Sequence, residues 1–81
     1  MFLSRKEILE NHHNSATGQV LEHEINIRKI DSMMIDTPPG KTYESFQEAV
    51  VAKQGAIEDI KKVLSIIETM IAEEEKNEQK V

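Results

Sequence analysis

An all-α fold, a helical hairpin preceded by a short helix, is what this sequence of 81 residues predicts. Three observations carry that prediction. From Phe46 to Ile71 large side chains, mostly apolar, recur at alternating steps of three and four. A shorter run of the same kind extends from Val20 to Met34. Between them stands Asp36-Thr37-Pro38-Pro39-Gly40, the strongest chain breaker in the sequence.

The first segment opens with Ser4-Arg5-Lys6-Glu7, a capping-box pattern, among the apolar residues Phe2, Leu3, Ile8 and Leu9. It predicts a short helix over 5–11, with Asn11 to Ser15 as its linker. The second helix is predicted over 16–36. Val20, His23, Ile27, Ile30 and Met34 form its stripe, and Leu21, Ile25 and Met33 widen it. Asn14, Ser15 or Thr17 supplies its cap. Pro38 disfavours helical geometry at Thr37 and closes it.

The third helix is predicted over 43–75, opened by Thr42 or by Ser45, which with Glu48 makes a second capping box. Its stripe is Phe46, Val50, Lys53, Ile57, Ile60, Leu64, Ile67 and Ile71, with Lys53 as the one polar member. Ala49, Ala56, Val63 and Met70 form a second row beside it. A face that wide has to be covered on two sides, so this helix needs more than one neighbour. The short connection makes helices two and three antiparallel. The third is the longer, at ~50 Å against ~30 Å, so its far end needs further cover. Either the first helix or a symmetry-related copy provides it. The acidic tail, 73–81, is expected to fray.

Composition narrows the function. Hydrophobic residues make up 38% of the chain, only three residues are aromatic, and cysteine is absent. Disulfides and thiolate metal sites are excluded. A single domain this small and this poor in large side chains leaves self-association as the default source of stability. The net charge of −5 argues against binding DNA or RNA polymers. No apolar run reaches the length of a membrane span, and the N-terminus lacks signal-peptide order. A soluble, intracellular protein is the expectation.

Chemistry-bearing motifs are few. His12, His13 and His23, with Glu22 or Glu24, match no zinc spacing, and no metal or other cofactor is expected. No cysteine nucleophile, nucleophile elbow or Walker-type loop is present, and Ser15, Ser32 and Ser45 lack a base, so an enzyme is not expected. Lys41, Thr42 and Tyr43 follow the turn at a helix N-terminus, where free N–H groups attract anions. Arg28 stands either as a phosphate-binding cation or as an ion-pair partner of Glu24. Lys53 either snorkels at the bundle edge or aims a cation into an interface.

Taken together, some of these residues resemble a known pattern. His13, His23 ten residues later, Ile25-Asn26-Ile27-Arg28, a Pro turn, and Phe46-Gln47-Glu48-Ala49-Val50-Val51 leading to Ala56-Ile57 form that pattern. It resembles the helical-hairpin domain of phage anti-CBASS and anti-Thoeris cyclic-nucleotide sponges, over about residues 12–60. The resemblance implies a phage-encoded homo-oligomer, commonly a hexamer, acting in the cytoplasm of the infected bacterial host. It implies that the protein binds cyclic di- or trinucleotide immune messengers without cleaving them. His12 falls where the family has a base-stacking tyrosine, with His13 beside it, and Arg28 falls at the phosphate-binding position. Lys41, Thr42 and Tyr43 in the turn region complete the candidate ligand set, on local physics. The segment between the turn and Phe46 is two or three residues short of the family pattern. The competing readings are a structural bundle that drives homo-oligomerisation or binds a partner helix, and an acidic inhibitor of a host enzyme acting through Glu73 to Glu75.

Overall fold

The computed structural model describes residues 3–79; Phe2 at the predicted N-terminal cluster, and Lys80 and Val81 of the predicted tail, lie outside them. Two helices make up the fold: α1 (Arg5–Ile35) and α2 (Lys41–Gln79). They pack side by side as an antiparallel hairpin measuring 63 × 23 × 15 Å.

The hairpin predicted from the stripes is present, but the short first helix and its linker are not separate elements. Helices predicted over 5–11 and 16–36 are one continuous helix. The reason lies in the linker residues themselves. Leu9, His13, Ala16, Val20, His23, Ile27, Ile30 and Met34 are all buried or half-buried and step by four and three without interruption. Nothing from Asn11 to Ser15 breaks a helix, and His13 keeps the stripe in phase although it is polar. Thr17, one of the predicted caps, instead donates its hydroxyl to the His13 carbonyl at 2.9 Å, one turn back inside the helix. The true cap is Ser4, whose Oγ accepts from the Glu7 N–H at 3.1 Å.

At the turn, the Thr37 N–H donates to the Met34 carbonyl at 3.1 Å and its hydroxyl donates to Met33 at 2.7 Å. The Gly40 carbonyl accepts the Glu44 N–H at 2.9 Å, which starts α2 two residues before the predicted position. The breaker ends at Gly40, so nothing in Lys41 to Glu44 resists helical geometry. Ser45 therefore lies inside α2, donating to the Lys41 carbonyl at 2.9 Å rather than capping. The residues of the tail predicted to fray continue the helix to Gln79.

The two stripes meet in one seam. On α2, Phe46, Val50, Lys53, Ile57, Ile60, Leu64, Ile67 and Ile71 are buried or half-buried, as the periodicity required. Three pairs at the end remote from the turn mark the register: Arg5 Nε to Glu74 at 3.0 Å, Lys6 Nζ to Glu75 at 3.5 Å, and His13 Nε2 to Glu68 at 3.0 Å. Each pair joins one half-buried and one exposed side chain, and solvent-screened pairs of this kind contribute up to ~1 kcal/mol each; they report alignment more than they stabilise it.

A two-helix seam has no third layer. Among the described residues only Leu9, Ala16, Ile57 and Ile67 are buried, and each keeps 8–9% of its surface exposed. Leu21, Ile25, Met33, Ile35, Val51, Val63 and Ile66 remain exposed. No helix among the described residues is long and apolar enough to cross a membrane.

Candidate functional site

The most developed concavity is an open groove of about 510 Å³ on one side of the seam. Its apolar floor is Leu9, Ala16, Ile60, Val63 and Ile67, supplied by both helices. Its rim is polar: His12, Ser15 and Gln19 from α1, and Asp59 from α2. Helical periodicity explains the arrangement. His12 and Gln19 each stand one position ahead of a seam residue, His13 and Val20, so both project to the same side of α1. Ala16 is small enough to leave the floor open beneath them. An imidazole over an apolar floor provides a stacking wall for a flat ring. The rim carries one carboxylate and neither Lys nor Arg.

His13 does not share this groove. It is half-buried in the seam, bonded to Glu68, beside a smaller groove of about 270 Å³ lined by Glu10, Asn14 and Ile71. Arg28 is exposed further along α1. Sixteen residues of continuous helix separate it from His12, ~24 Å at 1.5 Å per residue. Lys41 and Thr42 are exposed in the first turn of α2, and Tyr43 is half-buried at the start of its stripe. Within one chain the candidate residues therefore occupy three places: His12 and His13 near the open end, Arg28 past the middle of α1, and Lys41 to Tyr43 at the turn. Neither Arg28 nor Lys41 has an ion-pair partner among the described residues, so the Glu24 pairing is not made.

His23 is half-buried on the seam, and its Nδ1 is buried without a hydrogen-bond partner. Lys53 is likewise half-buried on the seam. No three His, Asp or Glu side chains among the described residues gather where a metal ion would sit.

Asp59 and Gln19 line the groove although isolated polar residues on a helix read as solvated surface, and Ser15 lines it from inside α1 rather than capping a helix. The signal was there for Asp59. It falls midway along Ala49, Ala52, Ala56, Val63, Ile66 and Met70, an interleaved row that recurs at threes and fours outside the seam. No protein-family model, curated protein or solved structure matches this chain.

Proposed function

We propose that this chain is a non-catalytic binding module that works as a homo-oligomer. Copies of the hairpin associate through their uncovered apolar sides, and the assembly sequesters a cyclic di- or trinucleotide without cleaving it. In this reading the protein is a phage-encoded sponge, commonly hexameric in its family, that acts in the cytoplasm of an infected bacterium to suppress CBASS-type defence. The observation that carries it is the His12-walled groove beside an uncovered apolar face. Its volume lies in the range of small-ligand sites, ~300–1,000 Å³. It is open along one side, and an adjoining copy would close it.

Chemistry sets what the assembly must supply. A cyclic dinucleotide carries two flat bases and two phosphates, so it needs stacking walls and cations in a water-poor site. One chain offers His12 as the wall, but its cations stand elsewhere. Arg28, Lys41 and Thr42 are exposed on the hairpin, and it is as residues of neighbouring copies that they would meet phosphate.

A second reading, a structural or partner-binding bundle with no small ligand, is favoured by one specific observation: the groove rim carries Asp59 and no cation. A thermal-shift panel of cyclic di- and trinucleotides separates the two. Under the sponge reading one nucleotide at ~100 times its Kd stabilises the assembly by ~2.7 kcal/mol and is recovered intact after denaturation. Arg28→Ala then abolishes the shift while light scattering shows the oligomer unchanged. No shift across the panel with a stable oligomer establishes the second reading instead.

A further inference from the structure

We infer that α2 carries a second helix-pairing seam, and that its occupant is α2 of a second copy running antiparallel, related by a two-fold axis within one turn of Asp59. The inference rests on the self-association in the reading above and is independent of its ligand.

Ala49, Ala52, Ala56, Asp59, Val63, Ile66 and Met70 step by three and four along three heptads, the spacing of a helix-pairing seam. None of them belongs to the stripe that packs on α1. Val63 and Ile66 are 50% and 60% exposed. Ala52 and Asp59 are exposed as well, while Ala49, Ala56 and Met70 are half-buried; the row thus flanks the α1 seam and opens outward at its centre, continuous with the groove through Val63 and Asp59.

Size order along the row selects the occupant. Every apolar member N-terminal to Asp59 is alanine, and every member C-terminal to it is large. Ala56, Ala52 and Ala49 lie three, seven and ten positions before Asp59; Val63, Ile66 and Met70 lie four, seven and eleven after it. A parallel copy would put large on large and alanine on alanine, crowding one half and leaving the other empty. An antiparallel copy puts Val63, Ile66 and Met70 against the partner's Ala56, Ala52 and Ala49, and the reverse. Self-complementarity of this kind is what a two-fold interface requires. A seam designed for an unrelated helix has no reason to be split at its own midpoint.

Charge and area agree. Lys62 follows Asp59 by three residues, beside the row, and neither has an ion-pair partner among the described residues. Across an axis at this point each Lys62 faces the partner's Asp59, which offsets the repulsion of two aspartates brought together there. A stable dimer buries roughly 800 Å² per partner. The broad side of the hairpin, 63 Å by 23 Å, supplies that with little more than half its extent.

Single cysteines test this cleanly, because the native chain has none. Light scattering without nucleotide is expected to give a dimer or an even multiple of it. With a short bismaleimide, Asp59→Cys links to itself. Met70→Cys alone does not, because its two copies lie ~33 Å apart along antiparallel helices. A mixture of Met70→Cys and Ala49→Cys does link. A monomer, self-linking of Met70→Cys, or efficient linking through Leu21→Cys with none through Asp59→Cys would each overturn the inference. An oligomer joined at Leu21 that still shifts with a cyclic nucleotide would leave the ligand reading standing. A dimer joined at Asp59 with no shift would remove the ligand reading alone.

Discussion

Replacing Ile57 with aspartate is expected to unfold the hairpin. Ile57 is one of four residues buried in the seam among those described, at 8% exposure. The substitution removes an apolar side chain worth ~1.5–3 kcal/mol of burial. It also places a carboxylate where it has no partner, at a cost of several kcal/mol. Domains have only ~5–15 kcal/mol in total, and one with a single seam lies at the low end. Far-UV circular dichroism should therefore show loss of helicity at room temperature. Ile57→Val, which keeps shape and polarity, should cost only ~0.5–1.5 kcal/mol and retain a cooperative melt. A near-native melt for Ile57→Asp would mean that the α1–α2 seam is misplaced.

Asn14→Pro is expected to cost nearly as much, although Asn14 is exposed. The side chain is irrelevant here; the test is of the backbone. Proline in a helix interior removes one hydrogen bond and clashes with the preceding turn, for ~3 kcal/mol or more. If Asn11 to Ser15 were a linker, the same change would be tolerated. Arg5→Pro is the matched control, because proline is accommodated at the first helical position. It sacrifices only the ion pair with Glu74, in which Arg5 is the exposed member. A fall in thermal midpoint for Asn14→Pro no larger than that for Arg5→Pro would restore the three-helix arrangement.

The α2 stripe was legible because seven of its eight members are apolar, and the turn because two prolines and a glycine adjoin. Ser4 was legible as a cap because Glu7 follows at the right spacing. The continuity of α1 was not, because its seam passes through His13 and Ala16, one polar and one small. Asn14, Ser15 and Thr17 also look like caps when no hydrophobic run contradicts them. The candidate site suffered from the same cause. A linker at Asn11 to Ser15 would leave the direction of His12 open; with α1 straight, helical rise fixes it ~24 Å from Arg28. Asp59 was hidden for the opposite reason, since a carboxylate on a long helix ordinarily marks solvent.

The slenderness of the hairpin has an electrostatic consequence. A body 15 Å thick is less than two Debye lengths across at physiological ionic strength, where that length is ~8 Å. Charges on opposite sides of the rod are therefore only partly screened from each other, and an approaching rod of the same kind meets much of the net −5 at once. Side-by-side association of two such rods is opposed at low ionic strength and strengthens as salt is added. Capture of a polyanion by local cations has the opposite dependence and weakens with salt. Light scattering and ligand titration along a single salt series should therefore move in opposite directions, which separates assembly from ligand binding without any mutation.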